Sequence, residues 1–206
     1  MLLGFGILLL VLGCASLAID RRAAHWFYET VHRRWDLRIR RTTDWAKGAY
    51  WLAGSAAVYA AAQAAGALWG LSPLLDNVSR AALAFLASLA AASAILHSIK
   101  IVLGRRRPRD EFDFGIFRFE PFRFSLQYDS FPSGHAMTIC CVATILSGVA
   151  PALAPLWFAV ALYLAFTRAV LNAHFLSDVF AGAGIGIVVT REVVTVLFPT
   201  LAQPWF

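Results

Sequence analysis

Three short strings between residues 100 and 178 gather the residue types that phosphoryl chemistry needs. They are Lys100 followed by Arg107-Pro108, then Pro132-Ser133-Gly134-His135, then Arg168 with His174 and Asp178. Lys100 and Arg107 stand seven apart, so a helix ending near Pro108 would carry them on one face, with His97 and Gly104 on the same stripe. Charges at membrane depth pair with each other or line a cavity, and these two suit phosphate oxygens; His97 reads as a helix-packing histidine. The Pro-Ser-Gly turn opens an apolar helix, where the Ser133 hydroxyl and the Gly134 amide converge on one spot that favours an anion. His135 follows in the first turn, placed to protonate a leaving oxygen. His174 and Asp178 are four apart, so the carboxylate can hold one imidazole nitrogen protonated and leave the other free to attack. Arg168 adds a planar fork matching phosphate. Asn172 and Ser177 read as local caps, and Arg105, Arg106 and Arg109 as a basic run facing lipid headgroups and water.

The elements that must position these residues are apolar. Of 206 residues, 60% are hydrophobic and 15% charged, with a mean hydropathy of +0.67, which excludes an ordinary soluble domain. Runs long enough for a hydrocarbon core of about 30 Å occur at Leu2 to Ile19, Gly48 to Leu71, Ala81 to Leu103, Ala136 to Ala150, Ala152 to Val170 and Val179 to Phe198. The expected fold is all-α: a six-helix transmembrane bundle in one domain over residues 1–206. The fourth run is short and crowded by Pro151 and Pro155, and Arg191 and Glu192 interrupt the sixth. The first run lacks a basic leader and a small-residue cleavage site, so it reads as a retained helix. Cys14, Cys140 and Cys141 lie in apolar runs, with neither a disulfide framework nor a metal-ligand spacing.

Charge is uneven. Of 18 Lys and Arg, eight fall between Arg21 and Lys47 and seven between Lys100 and Arg123; an even number of crossings puts both groups on one side. Asp20 to Lys47 interleaves Trp26, Phe27, Val31, Trp35, Leu37 and Ile39 with basic residues, the pattern of an amphipathic segment lying in the interface rather than a solvated loop. Between Arg109 and Phe131, Phe112, Phe114, Phe117, Phe119, Phe122 and Phe124 recur at short spacing, which favours a hairpin or an extended loop over a helix. Two readings fit those aromatics: a lid packed on the helix ends, or an entrance admitting a lipid chain beside the site, with Arg118 and Arg123 toward a headgroup.

In order and spacing, Lys100-x6-Arg107-Pro108, Pro132-Ser133-Gly134-His135 and Thr167-Arg168-x5-His174-x3-Asp178 resemble the three-part signature of the type 2 phosphatidic acid phosphatase superfamily. The membrane runs resemble its bacterial lipid phosphatase branch, whose members act on phosphatidylglycerol phosphate, undecaprenyl pyrophosphate, phosphatidic acid or the 1-phosphate of lipid A. The resemblance implies that His174, oriented by Asp178, attacks phosphorus to form a phosphohistidine, and that His135 protonates the leaving group. It implies that Lys100, Arg107, Ser133, Gly134 and Arg168 bind the phosphoryl group, with no metal and no cofactor. Thr167 stands where the family usually has serine, and keeps the hydroxyl.

The expected function is therefore an integral membrane phosphatase acting on a phosphorylated lipid in a bacterial inner membrane. Its partners are the lipid substrate and the bilayer, with no nucleic acid. A lipid phosphotransferase would use the same residues, and a non-catalytic transporter or scaffold would keep only the anion site. Positive-inside counting puts the basic segments in the cytoplasm, whereas the resemblance implies a site facing the periplasm or outside. The sequence carries no sign of oligomeric state or headgroup.

Overall fold

The structure is a computed structural model that describes residues 1–31, 33–70, 72–109, 112, 117–122 and 128–206, with the backbone alone for 33–37. Phe114, Arg123 and Phe124, and the side chains of Trp35 and Leu37, lie outside the described residues. Among the described residues the long elements are all helices: α1 (Leu2–Ser16), α2 (Asp20–Thr30), α3 (Arg33–Thr43), α4 (Gly48–Trp69), α5 (Pro73–Leu103), α6 (Gly134–Val149), α7 (Ala154–Val170) and α8 (Leu176–Leu197).

Local signals account for the boundaries that matter. Ser72 caps α5 by accepting the Leu75 N–H at 3.3 Å, with Pro73 in the first turn. The same helix stops at Gly104, whose φ of 50° lies in the left-handed region. Ser133 caps α6, its hydroxyl facing the Ala136 N–H at 3.5 Å. Asp178, in the first turn of α8, accepts the Phe175 N–H at 2.8 Å and complements the positive end of the helix.

Helix α8 is the axis of the molecule, packed by α1, α5, α6 and α7, while α4 leans on α5. Small residues permit this closeness. A Cβ at Gly182 would run into the Ser133 carbonyl oxygen and sit 3.2 Å from Ser133 N, so the start of α6 rests directly on the α8 backbone.

Length and composition account for only part of the expected six spans. Among the described residues, helix α5, the stretch Pro151–Val170 and α8 are long and apolar enough to cross a membrane, making three spans, or four if the bent pair α1 and α2 is taken as one. This is a multi-pass membrane protein, but six crossings are not established by length and composition. Helix α1 has 15 residues and α6 has 16, which reach only about 22 to 24 Å at 1.5 Å per residue. Helix α4 has 22 residues but is largely alanine and glycine. Helix α2 turns 85° away from α1, the attitude expected of an amphipathic helix lying along a bilayer surface.

Candidate active site

The residues singled out in the sequence meet at one end of the bundle, but two reach it by an unexpected route. Lys100 lies in the last turn of α5, whereas Arg107 stands beyond the helix end, because the left-handed Gly104 breaks the helix at Leu103. The two do not share a helical face. They converge instead on Asp129: Lys100 Nζ donates to its carbonyl oxygen, and Arg107 Nε and Nη2 donate to its carboxylate, each at 3.1 Å. His97, expected to pack inward on the same stripe, is exposed.

Segments 117–122 and 128–130 of the aromatic connection bind the last turn of α5 and the chain just after it. Phe122 N–H donates to Ile101 O at 3.0 Å and Arg105 N–H to Tyr128 O at 3.0 Å, and Ser130 N–H donates to Arg105 O at 2.9 Å. Only isolated bridges of Arg105 with Phe119 and Asp129 form, with no regular strand among the described residues. Arg118 pairs with Glu120 at 2.8 Å.

The serine turn is held against α8. Ser133 N–H donates to Asp178 O at 2.9 Å, which fixes the Gly134 amide and His135 at the N-terminus of α6. His135 lies within electrostatic reach of Arg168, His174, Lys47 and Arg107. Arg168, in the last turn of α7, keeps a buried Nε with no hydrogen-bond partner. Its backbone carbonyl accepts the N–H groups of Ala173 and His174, at 3.0 and 3.1 Å, so the loop carrying His174 is wound onto Arg168 itself. Thr167 Oγ1 meets Thr43 Oγ1 at 2.9 Å, pinning the last turns of α3 and α7 together.

His174 is 3% exposed. Its Nδ1 lies 2.8 Å from the Ser130 carbonyl and 3.6 Å from the nearer Asp178 oxygen. The expected direct hold by the carboxylate is thus relayed: Ser130 Oγ donates to Asp178 Oδ2 at 2.5 Å while its carbonyl faces the imidazole. A carbonyl only accepts, so Nδ1 carries the proton and Nε2 keeps its lone pair. Burial pulls the imidazole below the ordinary 6.5; Asp178 opposes this and the Arg168 and Arg107 charges add to it.

Behind Asp178 lies a network that the sequence did not reveal. Arg105, expected at the headgroups, is 2% exposed. Its Nη1 donates to Asp178 Oδ1 at 2.6 Å and to Ser177 Oγ at 2.7 Å, and its Nη2 donates to Asp20 Oδ2 at 2.8 Å. Asp20 accepts the Ser177 N–H at 2.9 Å and the Ser177 hydroxyl, so Ser177 is a link in this network as well as part of the helix start. Breaking a buried pair of this kind costs about 3–5 kcal/mol, far more than a headgroup contact could return. The guanidinium also lies 4.1 Å from the Phe175 ring centroid, 4.9 Å from that of Phe119 and 5.4 Å from that of Phe117. Phe117 and Phe119 of the connection thus pack over Arg105. Asp20, an acid immediately after an apolar run, and Asp129-Ser130, just ahead of the serine turn, were the available signals.

What the arrangement offers is a buried imidazole with a fixed tautomer, an unpartnered Nε–H on Arg168, and Lys100 and Arg107 held by Asp129, with a serine-capped helix start seated against Asp178. Residues 81–201, more than half of the chain and all three strings, match the family model of the PAP2 superfamily. The chain belongs to the PAP2 superfamily. Two relatives are lipid A 1-phosphatases of Rhizobium etli and Rhizobium johnstonii. Each is 36% identical over 88 residues, covering 43% of this chain and 38% and 36% of those proteins respectively. The matched part thus spans less than two fifths of either relative. The crystal structure of the transmembrane PAP2 type phosphatidylglycerolphosphate phosphatase from Bacillus subtilis aligns over 100% of this chain and 97% of that one. Its TM-score is 0.63 at 19% identity, a likeness of fold.

Proposed function

We propose that this chain is an integral membrane lipid phosphatase that removes a terminal phosphate, as a monoester or pyrophosphate, through a phosphohistidine. The observation that supports it most is His174: buried, with Nδ1 committed to the Ser130 carbonyl and Nε2 left as the nucleophile. Nε2 attacks phosphorus, the bond from phosphorus to the lipid oxygen breaks, and His135 gives its proton to that oxygen. Water then attacks the phosphoryl group, yields a proton to His135, and phosphate leaves with His174 neutral again. Lys100, Arg107, Arg168, the Ser133 hydroxyl and the Gly134 amide hold the phosphoryl oxygens, and their fixed charge stabilises the transition state without a metal.

The test is phosphate release by the purified chain in detergent from a panel of lipids: phosphatidic acid, phosphatidylglycerol phosphate, a polyprenyl pyrophosphate and lipid A. Release from at least one, undiminished by a chelator, is expected. No release from any sinks the reading, and label arriving on a second lipid would replace hydrolysis with transfer. Because the attacking imidazole must be neutral and its pKa is lowered, activity persists as pH falls below 6.5 and is lost only on passing through the lowered value. A kcat/KM profile with its acid limb above 6.5 would contradict that ionisation.

We place residues 1–206 in one domain, with all six apolar helices crossing a bacterial inner membrane and the site facing the periplasm. Positive-inside counting argues the other way, but Arg105 and Arg107 are committed to Asp20, Asp178 and Asp129 and report little about topology. Phe122 is 67% exposed beside the site. In a background with Cys14 replaced by alanine, Phe122→Cys should react with an impermeant maleimide in spheroplasts; protection would put the site in the cytoplasm.

A further inference from the structure

Asp178 is held by more groups than its role toward one histidine requires, and the surplus has a definite charge. Oδ1 takes the Arg105 guanidinium, and Oδ2 takes the Ser130 hydroxyl and the Phe175 N–H. An arginine alone against Asp178 would cancel its charge and leave the imidazole nothing to lean on. Asp20, 0% exposed, occupies the other side of the same guanidinium at 2.8 Å. Two carboxylates around one cation leave one net negative charge. Phe117, Phe119 and Phe175 surround that cation, so water screens it poorly and the count is felt nearby.

We infer that Asp20 and Arg105 are positioning residues for the reaction: Arg105 fixes the Asp178 carboxylate, and Asp20 offsets Arg105 so that Asp178 still presents a negative charge to His174. This rests on the phosphohistidine reading proposed above. When Nε2 bonds to phosphorus the imidazole becomes positive, and the charge behind it stabilises that state. The elbow between α1 and α2 thereby reaches the chemistry, since Asp20 is the first residue of α2.

The charges facing His174 are Asp178 on α8, Arg168 on α7, Arg107 after α5 and His135 on α6, with Arg105 and Asp20 behind Asp178. Substitutions that change only the rear pair move the count in opposite directions. Asp20→Asn keeps an oxygen for the Ser177 N–H and takes the network from one negative charge to none. Arg105→Gln takes it to two, and the double variant restores one.

The experiment follows the His174 imidazole by 15N NMR in the full chain in detergent, assigned with His174→Gln, alongside pH profiles of phosphate release. Asp20→Asn should lower the His174 pKa by about one unit, move the acid limb down with it, and cut kcat roughly tenfold while KM for phosphatidic acid changes less than twofold. Arg105→Gln should raise the pKa, and the double variant should return to within about half a unit of the parent. If Arg105→Gln does not fold, the single Asp20→Asn and the double variant carry the comparison. A His174 pKa unmoved by Asp20→Asn, or moved equally in both of those variants, overturns the inference. So does a loss of activity that follows the folded fraction alone. Absence of phosphate release from the parent would defeat the phosphatase reading, while the order of the NMR titrations still decides the role of Asp20 and Arg105.

Discussion

His174→Asn should abolish phosphate release, lowering kcat by roughly 10⁴ to 10⁶, the range seen when a covalent nucleophile is removed from an intact site. Asparagine places its amide nitrogen where Nδ1 stands, so its N–H can still donate to the Ser130 carbonyl that Nδ1 faces at 2.8 Å. The loop should stay wound on the Arg168 carbonyl, because that contact uses backbone N–H groups of residues 173 and 174. The variant therefore loses the lone pair at Nε2 and little else. Lys100, Arg107, Arg168 and the serine turn are untouched, so the protein should still bind orthovanadate, though more weakly, since the nitrogen that would complete its coordination is gone. With 32P-labelled lipid, acid-labile and base-stable label should appear on the parent after rapid quench and be absent from the variant. Release within tenfold of the parent, or label retained on the variant, would remove His174 from the attacking role and redirect attention to His135.

The contrast between what was readable and what was not follows from how each residue acts. Lys100, Arg107, Ser133, His135, Arg168, His174 and Asp178 stand out in the sequence as candidates because phosphoryl chemistry requires those side-chain types and because polar residues are conspicuous between apolar runs. Their positions along the chain are set by helix ends, which carry local signals such as the Ser133 cap and the Pro-Ser-Gly turn. Arg105 carried no such mark. In the run Arg105-Arg106-Arg107 three identical side chains follow one another, and Arg105 is fixed by the left-handed Gly104 ahead of it together with backbone bonds to Tyr128 and Ser130. Its partners are 73 and 85 residues away, a pairing that no periodicity encodes.

The same limit explains His97 and the span count. A helical stripe predicts which residues share a face, but which face is inward depends on neighbours, and α5 turns His97 outward. Apolar runs mark membrane helices by composition, yet α1 ends at Ser16, whose hydroxyl bonds back to Leu12 O at 2.6 Å, before the chain turns to bring Asp20 into the interior. The apolar run in the sequence extends further, to Ile19. The turn after that helix end carries Asp20 to its buried pair with Arg105, a contact made only in the tertiary structure.

The second large effect is expected at a residue that has no side chain. Gly182→Ala adds one methyl, and that methyl collides with the Ser133 carbonyl oxygen and presses the Ser133 carbonyl carbon and amide nitrogen at 3.1 and 3.2 Å. All three are backbone atoms of a capped helix start, so no side chain can swing aside. Either α8 or the start of α6 must move by about 1 Å, and misplacement of that size costs about 10² in rate where geometry carries the chemistry. The contact at risk is Ser133 N–H to Asp178 O at 2.9 Å, which registers the phosphate-binding turn against the helix start bearing Asp178. Overpacking should also cost about 1–3 kcal/mol of stability. The expected result is a kcat lowered about a hundredfold in detergent with a depressed unfolding midpoint, and Gly182→Val should not accumulate in the membrane. Gly54→Ala on α4, where an added methyl meets nothing within 4 Å, should be neutral or slightly stabilising. If Gly182→Ala keeps parental kcat and stability, the direct seating of α6 on α8 is wrong, and with it the route by which a turn more than 40 residues before α8 is brought to Asp178.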